Sequence, residues 1–303
     1  MEYYNKIVEI TDGEKPSIYF QVEHAGYGAI LSRLMTGLNL AVSSNFGFYF
    51  QIMSNYVFEQ LFDIVPKRKT PPEQVAVWNF WQHTWNAPEQ VRNNHQFPSC
   101  PLIGGDKLTK HQYCSVLAYA ICGHPKPLLK DKINSVMTKL NWDQFNIHIG
   151  LHVRRGDKTV EVPYIPTEKY LEYVNEIIEK NPYDTIGIYL TSDDPTSYEE
   201  YSSKIKNHRV KILWDEEEVR YNNYNAGMVS QNTEVAFQES LTAAKNILLL
   251  GHCDYVIGMR TAQFTWIGGL LCVFNHNLDT NRHIMIDAKT LKRGCWGDCY
   301  TTV

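Results

Sequence analysis

The chain has 303 residues, which is more than one average domain, so we expect two domains. Hydrophobic residues make up 44% and charged residues 20% of the sequence, a composition typical of folded globular proteins that excludes a mainly disordered or coiled-coil chain. The net charge of −4 provides no overall basic surface, so we expect no nucleic-acid partner.

The sequence carries no pattern for membrane insertion or export. No run of 18 apolar residues occurs, so we expect no integral membrane segment. The opening residues, MEYYNKIVEITDGEKPS, lack the basic and apolar regions of a signal peptide. The seven cysteines are odd in number and scattered, which favours a reducing compartment and a cytoplasmic protein. Cys295 and Cys299 are compatible with a disulfide or half of a metal site, although a structural or free-thiol role is favoured.

The first half contains one clear strand–helix–strand unit. Residues 17–23 (SIYFQVE) predict a strand, residues 29–44 an amphipathic helix, and residues 46–52 (FGFYFQI) a second strand. The stretch from 54 to 140 is expected to be mostly helical. We assign residues 1–143 to a first domain on the acceptor side.

The second half alternates more regularly between strand and helix patterns. Predicted strands cover 145–153, 185–192, 209–215 and 255–258, and predicted helices cover 166–181, 233–253 and 261–271, with another beginning after Pro195. This alternation predicts an α/β domain with a doubly wound parallel sheet. We assign residues 144–303 to a second, nucleotide-sugar-binding domain. The segment after about residue 275 is expected to pack back on the first domain.

The motif HVRRGDK, residues 152–158, follows the first of these strands. Ligands of open α/β sheets bind at the carboxyl ends of strands, and guanidinium groups bind phosphate oxygens in a bidentate way. Arg154, Arg155 and Lys158 therefore predict a phosphate site, with a solvated ion-pair cluster as the alternative. One arginine is expected to pair with Asp157.

Gly26, Tyr27 and Gly28 lie between a predicted strand and a predicted helix. They are either a tight turn or a ligand loop at a helix N-terminus. The pattern is not G-x-G-x-x-G, so a Rossmann oxidoreductase is disfavoured.

Further polar residues follow the later strands. Asp193 and Asp194 are either helix caps or site residues, and Thr261 with its neighbours Ala262 and Gln263 is either a cap or a phosphate contact. Glu161 is either a solvated loop residue or a general base.

No D-x-D motif, metal-ligand spacing, P-loop, G-x-S-x-G or H-E-x-x-H motif occurs. We therefore expect no metal and no cofactor.

The motifs HVRRGDK, PTEKYL and YLTSDDP, together with AGYG upstream, resemble the α1,6-fucosyltransferase and nodulation fucosyltransferase family. The resemblance covers about residues 17–52 and 145–271. It implies a GT-B architecture, in which two Rossmann-like domains face a central cleft, and an inverting, metal-independent transfer from a nucleotide sugar to a glycan or glycoprotein acceptor.

The resemblance also implies roles for individual residues. Arg154 would hold the donor β-phosphate with Lys158 nearby, and Glu161 would be the base. His152 and Tyr27 would line the nucleoside, and Ala262 and Gln263 the phosphate loop.

Three positions differ from the family pattern. Glu161 aligns only with a one-residue deletion, Ala262 replaces the usual Ser, and Asn246 replaces an Asp that reads guanine. Glu239, on the same predicted helix face, is a candidate replacement acid. GDP-fucose is the favoured donor, and a UDP-sugar such as UDP-xylose is the alternative. A non-catalytic carbohydrate- or nucleotide-binding protein is the alternative to an enzyme.

Overall fold

The structure is a computed structural model. It describes residues 1–11, 17–22, 26–64, 74–79, 84–86, 107–156, 162–220 and 232–293. The chain packs into two compact units, one of residues 1–126 with 226–241 and the other of residues 127–225 with 242–303. The division therefore precedes the expected boundary at 143/144, and a later segment returns to the first unit.

The first unit contains a four-stranded sheet. Its elements are α1 (Glu2–Thr11), β1 (Ser17–Val22), α2 (Tyr27–Ser44), β2 (Gly47–Ile52), β3 (Gln74–Asn79), β4 (Thr84–Asn86) and α3 (Lys110–Cys122). The strand order is β2-β1-β3-β4. β1 pairs in parallel with β2 and β3, while β4 is antiparallel to β3.

The predicted strand–helix–strand unit is confirmed, because the apolar face of α2 packs on β1 and β2. A Cβ atom at Gly37 would lie 2.7 Å from Phe20 and 2.9 Å from Phe48, so this contact requires glycine. Asn45 ends the helix in the left-handed region, with φ of 58°. The expectation of a mostly helical segment from 54 to 140 is wrong for β3 and β4. The alternating β-branched and aromatic residues of QVAVWN favour a strand.

The second unit contains a five-stranded sheet. Its elements are α4 (Pro127–Lys139), β5 (Ile147–Val153), α5 (Thr167–Lys180), β6 (Ile186–Ser192), α6 (Ser197–Lys204), β7 (Val210–Leu213), α7 (Thr233–His252), β8 (Tyr255–Met259), α8 (Gln263–Asn275) and β9 (His283–Ile286). Helix α7 is divided between the units, and its residues from 242 onward belong to the second. The order is β7-β6-β5-β8-β9, and every pairing is parallel. The expected α/β fold with a parallel sheet is confirmed.

Apolar side chains cover this sheet on both faces, as parallel sheets require. One face packs on α5 and α6 through Val174, Ile177 and Tyr201. On the other face, a Cβ atom at Gly150 would lie 2.8 Å from Leu250 of α7. Across the part of the chain that the structure describes, every helix is too short or too polar to span a bilayer.

The segment after residue 275 adds a strand to the second sheet. β9 pairs with β8, so residues 276–293 belong to the second unit. All four side chains of β9 are buried, and this burial explains the pairing. Cys295 and Cys299 lie outside the described residues.

Candidate functional site

The carboxyl ends of β5 and β6 bring two predicted motifs together. Val153 at the end of β5 is in register with Ser192 at the end of β6. The residues that follow these strands, Arg154 and Arg155 on one side and Asp193 and Asp194 on the other, form ion pairs with each other. The sequence placed all four at strand ends, and the parallel register explains why they meet.

Asp193 bridges the two arginines. Its Oδ2 accepts a hydrogen bond from Nη1 of Arg154, and its Oδ1 accepts one from the backbone N–H of Arg155 at 2.8 Å. The Asp193 side chain is only 13% exposed, whereas 32% of the Arg154 side chain is exposed. The carboxylate therefore fixes a guanidinium that still reaches solvent.

Arg155 is held inside the protein. Its Nη1 lies 3.1 Å from Asp194 Oδ2 and 2.6 Å from Glu200 Oε2, and its Nη2 donates to Thr167 Oγ1 at 3.0 Å. Burial alone lowers the pKa of Arg155, but the hydrogen bonds to Glu200 and Asp194 outweigh it, so the pKa is raised. These contacts make Arg155 a structural residue of the edge. The expected partner, Asp157, lies outside the described residues.

Asp194 acts mainly as a local brace. Its Oδ1 accepts hydrogen bonds from the backbone N–H and the hydroxyl of Thr196, at 2.9 and 2.8 Å. Burial raises the pKa of Asp194, but these bonds and Arg155 outweigh it, so the carboxyl pKa is lowered and the group stays ionised. Asp194 thus stabilises the turn before the first residue of α6 and holds Arg155 in place.

His152, two residues before Arg154, is buried. Its Nδ1 shares a 2.7 Å hydrogen bond with Thr265 Oγ1, and its ring stacks on Phe264 with centroids 5.6 Å apart. Burial, with a smaller contribution from Arg154, lowers the pKa of His152 to about 3, so the imidazole is neutral at pH 7. A Cβ atom at Gly258 would lie 2.2 Å from Thr265 Oγ1, so β8 approaches α8 closely here.

The loop from Thr261 to Gln263 opens α8. Ala262, not Thr261, occupies the N-cap, so of the two alternatives for Thr261 the cap is wrong. The backbone N–H of Ala262 donates to Met259 O at 3.1 Å, which closes the turn after β8. A phosphate contact by this N–H would compete with that bond. Gln263 is the first residue of the helix.

Asn246 lies in a buried polar network. Its Oδ1 accepts from the Tyr189 hydroxyl at 2.7 Å, and its Nδ2 donates to Glu218 at 3.0 Å. The neighbouring Lys245, which is 1% exposed, donates to Asp215 at 2.9 Å and to Glu218 at 2.8 Å. Base recognition by Asn246 would therefore compete with two bonds inside the protein. The network joins residues from separate strands, loops and helices, so no local sequence pattern predicts it.

The Gly26–Gly28 turn belongs to the first unit, where Gly26 is the N-cap of α2 and Gly28 is buried. Tyr27 is almost fully buried, and its ring stacks on Phe58 with centroids 4.3 Å apart. Burial raises the pKa of Tyr27, and among the described residues its hydroxyl has no hydrogen-bond partner. Tyr27 is thus a core residue of this unit.

Three predicted site residues, Asp157, Lys158 and Glu161, lie outside the described residues. Within the described ranges, no group of three or more His, Cys, Asp or Glu side chains is arranged to hold a metal ion.

Comparison with known proteins identifies similar folds. No family model matches the chain. NodZ α1,6-fucosyltransferase soaked with GDP-fucose is 14% identical, with a TM-score of 0.50 over 85% of this chain and 92% of that chain. POFUT1 in complex with GDP-fucose is 10% identical, with a TM-score of 0.50 over 86% and 95%. The chain therefore shares the fold of these fucosyltransferases, and the resemblance stated from the sequence is confirmed in the fold.

Proposed function

We propose that the chain is a glycosyltransferase that uses a nucleotide-sugar donor, with GDP-fucose favoured. The observation that carries this proposal is the partly exposed side chain of Arg154, whose guanidinium Asp193 fixes at the carboxyl edge of the second sheet. Of two proteins with the same fold, NodZ was soaked with GDP-fucose and POFUT1 is in complex with GDP-fucose, which supports the donor class. The proposal includes a GT-B arrangement, with donor binding on the second domain and acceptor binding on the first.

The reaction requires charge stabilisation on the leaving diphosphate. As the bond between the anomeric carbon and the β-phosphate oxygen breaks, its electron pair stays with the diphosphate. A preorganised guanidinium stabilises this developing charge without reorganisation during the step. We assign this role to Arg154, with Lys158 nearby. Because fixed cations suffice, the mechanism needs no metal.

The acceptor is a glycan or glycoprotein hydroxyl. Glu161 takes its proton, and the oxygen forms a bond to the anomeric carbon on the face opposite the diphosphate. Attack from that face inverts the configuration. Since the reaction needs only the sugar nucleotide and the acceptor, the proposal includes no cofactor. The proposal also includes a cytoplasmic location.

The side chain of Asn246 and its hydrogen bonds disfavour recognition of the guanine base of GDP. The amide of Asn246 offers one acceptor and one donor group, whereas a carboxylate accepts both guanine N–H groups. Both polar atoms of Asn246 are also bonded to Tyr189 and Glu218. A UDP-sugar is therefore the second candidate donor.

Calorimetry with GDP and UDP, followed by release of free nucleotide from GDP-fucose and UDP-xylose, tests the proposal. We expect GDP to bind more tightly than UDP and turnover to persist in excess EDTA. Binding of UDP at least tenfold more tightly would replace the donor. Binding without turnover would favour the non-catalytic alternative, and loss of turnover in EDTA with recovery in Mn²⁺ would contradict the metal-free mechanism.

A further inference from the structure

Thr265 and His152 form a buried hydrogen-bonded pair that joins α8 to the end of β5. Thr265 is fully buried, His152 is 5% exposed, and Thr265 Oγ1 lies 2.7 Å from His152 Nδ1. The His152 ring also stacks on Phe264. Gly258 on β8 is in register with His152, and a Cβ atom there would lie 2.2 Å from the Thr265 hydroxyl oxygen. Glycine at this position therefore leaves room for the bond.

The bond determines which nitrogen of the His152 ring carries a proton. Burial lowers the pKa of His152 so far that the ring is neutral at pH 7 and has one N–H. Across the described ranges, His152 Nδ1 is the only hydrogen-bond partner of the Thr265 hydroxyl. If Nδ1 carried the proton, the buried hydroxyl would accept it and leave its own hydrogen without an acceptor, which is costly. The hydroxyl therefore donates to Nδ1, and the ring proton is on Nε2.

The N–H at Nε2 is left for a ligand. Nε2 of His152 makes no hydrogen bond to any residue that the structure describes. Arg154 is near enough for its positive charge to contribute to the lowered pKa of His152. A neutral N–H close to a guanidinium provides a second donor to the same ligand, and the phosphate and ribose oxygens of a nucleotide accept such bonds.

We propose that Thr265 is a positioning residue for nucleotide binding, whose hydroxyl orients the His152 ring and keeps its proton on Nε2, where it donates to an oxygen of the nucleotide. This inference rests on the proposed function, because it requires a nucleotide near Arg154. Thr265 acts only through His152, since the hydroxyl itself is fully buried and bonded to the ring.

Nitrogen-15 NMR of the histidine rings in the full chain tests the position of the proton. His152→Gln identifies the His152 signals among those of the 11 histidines by their loss. The wild type and Thr265→Ser, which keeps the hydroxyl, are both expected to show the form protonated on Nε2. A wild-type ring protonated on Nδ1 would overturn the inference, and this result does not depend on any variant of Thr265 folding.

Calorimetry tests the effect on binding, with whichever of GDP and UDP the wild type binds more tightly. Thr265→Val keeps the shape of the side chain but removes the hydroxyl, so binding should weaken about three- to tenfold, the range of one neutral hydrogen bond. Thr265→Ser should bind within about twofold of the wild type. In the His152→Gln background, Thr265→Val should have little further effect. Additive losses would show that Thr265 acts independently of His152 and would overturn its positioning role.

Thr191 provides a matched control. It is in register with His152 on the neighbouring strand β6, is 3% exposed, and has a hydroxyl without a hydrogen-bond partner among the described residues. Thr191→Val therefore removes an equally buried hydroxyl from beside the same residue and should leave nucleotide binding unchanged. Equal losses in Thr191→Val and Thr265→Val would overturn the inference.

Titration with inorganic pyrophosphate separates the two sources of the oxygen. An equal weakening by Thr265→Val would assign the bond to the phosphates, and a weakening seen only with the whole nucleotide would assign it to the nucleoside; both results support the inference. Nucleotide binding that Thr265→Val leaves unchanged would overturn the positioning role alone. Failure of the wild type to bind either GDP or UDP would instead contradict the proposed function.

Discussion

The five-stranded sheet has an amino edge, where its strands begin, and a carboxyl edge, where they end. Both carry charged residues, but the hydrogen-bond and ion-pair partners of these residues differ. At the amino edge, Arg209 donates to the backbone carbonyls of Asn181 and Asp184, and Asp254 accepts the backbone N–H of His148 at 2.8 Å. At the carboxyl edge, charged side chains bond mainly to each other, and they include the partly exposed Arg154.

This difference separates charges that brace the backbone from charges arranged for a ligand. A guanidinium bonded to loop carbonyls stabilises a turn and has a structural role. A guanidinium fixed by a carboxylate and partly exposed to water is preorganised to meet an anion. Variants matched between the edges can therefore test whether the carboxyl edge is a site.

The largest expected effect concerns the ion network that follows β7. Lys245→Ala leaves the carboxylates of Asp215 and Glu218 without their buried cation, which should lower the free energy of unfolding by about 3–5 kcal/mol. Urea denaturation measures this. Lys6→Ala removes an exposed pair with Glu2 and should leave the free energy of unfolding nearly unchanged. Equal effects would show that the network is solvated.

The next effect is on transfer. Arg154→Ala should lower turnover by about 10²–10³-fold, or roughly 2.7–4 kcal/mol, because a preorganised donor to the leaving group is lost. Arg154→Lys should not restore it, since an ammonium lacks the bidentate geometry. Release of nucleotide from the donor is the measurement. Arg209→Ala, at the amino edge, is expected to keep its activity once folded; near-normal turnover in Arg154→Ala would refute the assignment.

A smaller effect is expected from the carboxylate that holds Arg154. Asp193→Asn cannot accept hydrogen bonds at both positions, so kcat/KM should fall by about 10- to 150-fold, equivalent to roughly 1.5–3 kcal/mol. Nucleotide affinity and kcat/KM are measured together. In the Arg154→Ala background the same change should have little further effect. Additive losses in the double variant would show that Asp193 acts independently of Arg154.

The smallest effect is on the pH dependence of stability. Burial is the main cause that lowers the pKa values of His152 and His283 to about 3, below the ordinary value of 6.5. The neutral forms therefore stabilise the fold above pH 6.5, and this contribution is lost as the pH falls below 6.5 toward 3. Each of these two imidazoles should lower the free energy of unfolding by about 1 kcal/mol as the pH falls from 7 to 5.5.

Urea denaturation at the two pH values measures this dependence. His283→Gln should reduce the loss of stability by about one imidazole's share, whereas His208→Gln, at an exposed position, should leave it unchanged. An unchanged pH dependence in His283→Gln would contradict the expectation.

The sequence predicted the strands that carry the edge, because β5 and β6 are continuous apolar runs and each is followed by charged residues. Parallel pairing alone then brings Arg154 near Asp193. The partners of Arg155 could not be predicted, since Glu200 and Thr167 come from two different helices and meet only when both pack on one face.

Two further differences between the sequence-based expectations and the structure also have local causes. Tyr27 follows a glycine, which is compatible with an exposed loop, but stacking on Phe58 buries it in the core. Asn246 occupies a position that the resemblance assigns to base recognition, and tertiary packing places Tyr189 and Glu218 against its two polar atoms. A helical pattern gives the side of a helix on which a residue lies, but not its hydrogen-bond partners.

The four-residue strand β9 has a consequence for how far the chain can be shortened. It covers the outer side of β8, which otherwise pairs only with β5. Removing residues 276–303 would expose the N–H and C=O groups of an apolar strand, and such an edge readily recruits another chain. β9 therefore keeps the apolar strand β8 from becoming the edge strand of its sheet.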